Sequence, residues 1–278
     1  MSGWSPVDLI PGLWLGVLAV VLLTALKRLY DPVPGRIAAV FGLALLALFG
    51  SSLFGGKILL PLDNLRGSRL FAELPPAQPH GNFVQGDLIE LIGPSGVAAR
   101  EAWRDGRWPL WNARVGAGMP LLADPQAQVA QPLVLVTYPL PWTRAAAVTA
   151  ALRVLLALVF TFLWLRRRGL GEAPSLVGAL AFGLGGFVLL WVGWPIASSA
   201  AWLPAVLYAG SRVRDPGGRR DVLLLGLALL GLLLGGHPET ILYSLGLAAA
   251  FFLTEVSEQR NEKRQLVRVT TNKKACCE

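Results

Sequence analysis

Three polar groups in this apolar chain have residue types and spacings that can do chemistry. Gly86-Asp87-Leu88-Ile89-Glu90 sets two carboxylates three residues apart, which makes them neighbours on a helix. Carboxylates so placed can divide acid and base roles or hold a divalent cation, while an aspartate at a helix start is also an ordinary cap. A second group runs through Trp108-Pro109-Leu110-Trp111-Asn112, Gly116-Ala117-Gly118-Met119-Pro120 and Ala123-Asp124-Pro125-Gln126. Its proline and glycine force turns, so Asp124 and Gln126 offer acceptors and donors beside stiff backbone, and a structural turn explains Asp124 equally well. The third is Gly235-Gly236-His237-Pro238-Glu239-Thr240. A connector between helices needs the proline there, but not an imidazole and a carboxylate.

Arg153 belongs with these groups because it falls roughly one third of the way into an apolar segment, where an ionisable group must be paired, wet or functional. It can meet a lipid phosphate or snorkel to the headgroups. His80 lies in a proline-rich stretch with no sequence partner and reads as solvent-exposed. Cys276 and Cys277 are adjacent in a polar tail, form no metal or lipidation pattern, and receive no function.

The elements that must position these residues are membrane helices. Of 278 residues, 54% are hydrophobic and 15% charged, with a mean hydropathy of +0.55, more than one soluble core requires. The net charge of +8 is spread in short clusters beside apolar runs, with no basic stripe or nucleic-acid motif, so it reads as topology and excludes a nucleic-acid partner. Seven apolar segments follow: Leu9 to Leu26, Ile37 to Phe54, Ala145 to Leu165, Ser175 to Val192, Ile196 to Ala209, Val222 to Gly235 and Thr240 to Leu253. A crossing helix needs roughly 20 residues, so the last three must borrow flanking residues or remain partly broken. The first has Asp8 on its N-terminal flank and Lys27-Arg28 after it, which argues against a cleaved signal.

Short loops rich in Lys and Arg stay on the cytoplasmic side. The joints with Lys27, Arg28 and Arg36, with Arg166 to Arg168, with Arg212, Arg214, Arg219 and Arg220, and the tail after Thr254 all fit one side if seven helices cross. The N-terminus, the segment from Gly55 to Arg144, the Gly193-Trp194-Pro195 turn and the His-Pro-Glu turn then lie outside. The expected fold is all-α: a polytopic bundle of about seven transmembrane helices, N-out and C-in, with an outer-face loop of short amphipathic helices. Its parts are two N-terminal helices (1–56), the outer loop (57–144), a five-helix bundle (145–254) and a cytoplasmic polar tail (255–278).

The outer loop carries eight basic and seven acidic residues among prolines and tryptophans, which suggests a folded layer. Leu88, Leu91 and Ile92, then Val97, Ala98 and Ala102, predict two short in-plane helices broken at Gly93-Pro94. Trp103, Trp108, Trp111 and Trp142 suit the headgroup zone as anchors, with sugar stacking as the alternative.

Taken in order, Gly86-Asp87 followed by Pro94, the run from Arg100 to Asn112, Gly116 to Pro120, Ala123 to Gln126, Pro132, and Gly236 to Thr240 resemble the bacterial YfhO-like membrane proteins, glycosyltransferase-like proteins with the GT-C architecture. The resemblance runs from about Asn64 to Leu253. It implies an enzyme of the cytoplasmic membrane that transfers a sugar from a polyprenyl-phosphate-linked donor at the outer face. Asp87 matches the family's base, which takes the acceptor's proton as the phosphate leaves. Glu90 supports it, because Leu91 stands where relatives often carry Gln. Asp124, Gln126, Arg153, His237, Glu239, Trp111 and Asn112 are the implied substrate contacts, and a divalent cation or an arginine would stabilise the leaving charge. Family members are longer, so the chain is expected to be an N-terminal part, completed by a continued reading frame or by a protein partner, or else inactive.

Two other classes compete. A transporter or lipid flippase would show broken helices at mid-depth and repeated halves, and no clear internal repeat is present. A non-catalytic assembly subunit would use small-residue spacings such as Gly12-xxx-Gly16 and Gly231-xxx-Gly235, which serve contacts within one chain just as readily.

Overall fold

The computed structural model describes residues 5–67, 83–214 and 217–255. His80, Cys276, Cys277 and the tail beyond residue 255 lie outside the described residues. The fold is all-α, apart from a two-residue antiparallel pairing of β1 (Trp111–Asn112) with β2 (Met119–Pro120). Its helices are α1 (Ile10–Leu29), α2 (Gly35–Leu53), α3 (Gly93–Arg104), α4 (Pro132–Leu135), α5 (Trp142–Arg167), α6 (Glu172–Gly183), α7 (Gly186–Leu190), α8 (Pro195–Arg214) and α9 (Arg219–Leu233), with a further helical stretch, α10, at 238–255.

All seven apolar segments are helical, and their burial sorts them. A helix apolar all round belongs in the middle of a bundle, and α5 takes that place, with 94% of its most apolar stretch buried. Helices α1, α2, α6 and α8 pack around α5, and α9 packs on α8. The outer helices turn apolar side chains away from this core: Val17, Val20 and Val21 on α1, Leu43 on α2, Val177 on α6, Leu223 and Leu227 on α9. Apolar residues facing both inward and outward suit hydrocarbon rather than water. Among the described residues four helical stretches are long and apolar enough to cross a membrane, Pro6–Leu29, Gly35–Leu53, Trp142–Arg167 and Glu172–Leu190.

Two sequence expectations need correction. The fourth segment is not one helix: α6 ends at Gly183 and α7 restarts at Gly186, because Gly183-Leu184-Gly185-Gly186 trades helix propensity for close packing. A β-carbon on Gly183 would stand 2.7 Å from Leu158 of α5. Nor does the chain break at Gly93-Pro94. Leu88–Ile92 forms a π-helical turn that runs directly into α3, and this locally widened turn accommodates Pro94, which has no N–H to donate back into it.

Polar contacts tie the helix ends into two opposite groups. At the basic end Arg36 pairs with Glu172, Arg212 with both Asp31 and Asp221, and Glu255 with both Arg168 and Arg214; the Tyr208 hydroxyl donates to Asp31. At the loop end Arg144 pairs with Asp8, and the Trp14 indole donates to the Val136 carbonyl at 2.8 Å. The two small-residue spacings are used largely within the chain: Gly12 lies against Phe54, Gly231 against Trp202 and Gly235 against Ser199, while Gly16 faces open space.

Candidate functional site

The loop between α2 and α5 folds into a layer over one end of the bundle. Its small core is Ala99, Leu121, Ala127 and Val129, with Ala98 and Tyr138 beside it. Glycine sets how closely this layer docks. Gly93 and Gly96 lie on one face of α3, and a β-carbon on Gly93 would come within 2.7 Å of the Trp142 ring at the start of α5. Seven residues after Gly93, two helical turns on, the same face presents Arg100.

Arg100 is 5% exposed. It donates to the Gly96 carbonyl at 3.2 Å and the Thr137 hydroxyl at 3.1 Å, and its guanidinium stands 4.8 Å from the centre of the Tyr138 ring. Its Nε–H is buried without a partner among the described residues. Burial pushes this guanidinium down to about 10, Tyr138 opposing the shift and Arg104 adding to it, so it is still a cation at neutral pH.

Arg153 does not snorkel. It is 3% exposed, held inside the bundle by bonds from Nε to the Ser198 hydroxyl (2.7 Å), from one terminal nitrogen to the Val192 carbonyl (2.6 Å) and from the other to Gln128 Oε1 (2.8 Å). Gln128 also donates through Nε2 to the Gly235 carbonyl at 2.6 Å, which fastens the turn between α9 and α10 to the loop layer. Arg100, Arg153, Gln128 and Thr149 line one cavity of about 70 Å³, closed on other sides by Leu88 and Trp142. Among the described residues no Asp or Glu lines it and neither arginine has a carboxylate partner.

The sequence-predicted residues divide. Asp87 is exposed and makes no cap hydrogen bond, although it occupies the cap position; the next residue, Leu88, lines the cavity. Glu90 is also exposed. Asp124 caps a short 3-10 turn by accepting from Gln126 N–H at 2.9 Å, the structural use open to it. Asn112 is buried and accepts from Arg114 N–H, and exposed Trp111 lies against Gly118.

His237 caps α10, its Nδ1 accepting from Thr240 N–H at 3.2 Å and standing 2.8 Å from the Thr240 hydroxyl. Glu239 is exposed. Asp87, His237 and Glu239 therefore sit at the same end of the bundle, but none lines the cavity; Gln128 is the link between its wall and the His-Pro-Glu turn.

Arg100 and Gln128 are the site residues that sequence reading passes over. Arg100 left a signal, because the spacing of Gly93, Gly96 and Arg100 puts a cation on the packed face of α3. Gln128 left none, since its place depends on contacts 25 and 107 residues away. Among the described residues no three His, Cys, Asp or Glu side chains gather closely enough to hold a metal ion. Comparison with protein-family models, curated proteins and solved structures finds no match, so the site stands on its own geometry.

Proposed function

We propose that the protein works as a bacterial multi-pass membrane glycosyltransferase, moving a sugar from a polyprenyl-phosphate-linked donor at the outer face of the cytoplasmic membrane. The observation that carries this reading is the state of Asp87. Its carboxylate is spent neither on capping nor on an ion pair among the described residues, and it precedes a cavity wall that holds buried positive charge. Transfer needs that combination. A base must take the acceptor hydroxyl's proton as the hydroxyl oxygen bonds to the sugar's anomeric carbon, and a cation must receive the phosphate that departs with the glycosidic bond electrons. Asp87 serves as the base, with Glu90 beside it, and Arg153 faces the leaving phosphate. His237, Asp124 and Asn112 shape the surrounding turns.

Orientation supports the same reading. The joints rich in arginine gather at the end opposite the loop layer, which by the positive-inside rule makes that end cytoplasmic and the loop layer external. This scheme takes α8, α9 and α10 as further crossings beside the four long apolar stretches. The direct test is sugar transfer by the purified protein in liposomes with a polyprenyl-phosphate-linked donor. Asp87→Asn is expected to lower turnover by about a hundredfold or more at unchanged donor affinity. Turnover equal to that of the unaltered protein would remove Asp87 as the base.

A further inference from the structure

Two buried guanidinium groups converge on one cavity, and the described residues give neither a counterion. Arginine carries five N–H donors and keeps its charge at any ordinary pH. The hydrogen bonds to Ser198, Val192, Gln128, Gly96 and Thr137 occupy half of the ten donors that Arg100 and Arg153 bring. The rest include the buried Nε–H of Arg100. Neutral acceptors and the face of Tyr138 soften the burial of two like charges but do not cancel it.

The cavity these side chains line is about 70 Å³. One water needs only about 10–15 Å³ of such space, so the cavity has ample room for a tetrahedral oxyanion. Planar guanidinium forks are well matched to phosphate oxygens. The backbone adds an independent mark. Gln128 adopts φ = 51°, a left-handed conformation shared by no other non-glycine residue among those described, and it is buried while bonding Arg153 on one side and Gly235 on the other. Strain of this kind persists only where its surroundings hold it in place.

We infer that this cavity is a receptor for a single phosphate group, gripped by Arg100 from the loop layer and Arg153 from the central helix, with Gln128 as a positioning residue that sets Arg153 by tying it to the α9–α10 turn. The inference deepens the proposed transfer reaction by seating the donor's phosphate, and it rests on that reading for the lipid origin of the phosphate. Capture of the anion itself requires no transfer. Arg100 is the new element, because it joins the mobile substrate to the docking of α3 on α5: a phosphate held between the two helices clamps the loop layer onto the bundle.

Binding to the full chain in detergent micelles tests this, with inorganic phosphate in one arm and a polyprenyl phosphate in the other. The expected result is saturable binding of at least one probe, with a raised melting temperature. Arg100→Gln is expected to weaken it about tenfold to a hundredfold, and Arg100→Lys by less, since charge survives without the fork. Should the Gln variant fail to fold, the Lys variant carries the comparison. Tight binding of the polyprenyl phosphate alone identifies a lipid headgroup, and equal binding of both probes identifies a free phosphate group; either supports the receptor. No binding of either probe, or affinities in both Arg100 variants equal to the unaltered protein, overturns it. Gln128→Leu is expected to lower the phosphate-free melting temperature, because it strips buried partners from Arg153 and the Gly235 carbonyl, and also to weaken phosphate binding in the fraction that remains folded; affinity equal to that of the unaltered protein removes Gln128 as a positioning residue. Phosphate binding without sugar transfer sinks the transferase reading and leaves the receptor standing, whereas transfer indifferent to the Arg100 variants sinks the receptor alone.

Discussion

The two ends of the bundle handle arginine in opposite ways. At the basic end the part-buried arginines are matched to acids: Arg212 sits between Asp31 and Asp221, while Arg168 and Arg214 share Glu255. At the loop end Arg144 follows that rule with Asp8, but the two most deeply buried arginines, Arg100 and Arg153, meet only neutral acceptors, while the carboxylates of Asp87, Glu90 and Glu239 stand exposed. Charges paired inside the chain fasten helices. Charges of both signs that have no ion-pair partner among the described residues at this end are available to something that arrives from outside.

This contrast breaks most readily at its strongest points. Arg212→Ala removes the cation from two carboxylates and the Tyr208 hydroxyl, and breaking such a part-buried network is expected to cost about 2–3 kcal/mol, read as a lower melting temperature in detergent. Arg100→Gln should do the reverse without phosphate, leaving stability unchanged or raising it by up to about 1 kcal/mol, because it removes a buried charge that the protein does not neutralise. Equal losses in the two variants would erase the distinction between fastening and receiving arginines.

The seam between loop layer and bundle gives the next effect. Gly93→Ala sets a β-carbon 2.7 Å from the Trp142 ring and 3.0 Å from the Leu88 carbonyl, so α3 must shift on α5. A loss of about 1–3 kcal/mol is expected from such overpacking, with faster proteolysis of the loop layer. Gly16→Ala, at a helix position with nothing within 4 Å, is the control and is expected to be neutral or slightly stabilising.

A smaller effect follows from the lowered pKa of Arg100. Folding depresses this cation from the ordinary arginine value to about 10, so its burial penalty is present in full below about 10. As pH rises through 10 the folded protein loses that proton before the unfolded chain does, and the stability of the phosphate-free protein should rise relative to Arg100→Gln. Melting curves of the two proteins from neutral pH to above 10 check the sign. A falling difference would contradict a charge buried at a cost.

Which parts of this were legible in the sequence depends on the range over which each residue is determined. The helices were, because apolar runs such as Ala145 to Leu165 need only their own composition to become membrane-like. The break at Gly183 to Gly186 was not, since it depends on Leu158 of another helix filling the space that a β-carbon would take. At the site, Asp87 and Arg153 announce themselves as ionisable groups in unusual surroundings. The structural use of Asp124 was only an alternative until its partner Gln126 fixed it, and the cap that His237 makes with Thr240 was not anticipated. Arg100 reads as one more surface cation until α3 docks and turns it inward.

The smallest predicted effect sets the baseline for the comparison. The Arg36–Glu172 pair at the basic end is geometrically good, with contacts of 2.5 and 2.8 Å, yet the Arg36 side chain is 77% exposed. Water and salt screen an exposed pair, and fixing a long side chain costs entropy, so Arg36→Ala is expected to leave the melting temperature essentially unchanged. A double-mutant cycle with Glu172→Ala measures the coupling directly. A coupling clearly larger than exposed pairs show in water would mean that the joint lies in a less screening medium, as in a headgroup layer. In that case the fastening role at the basic end reaches past its buried network to the exposed helix joints.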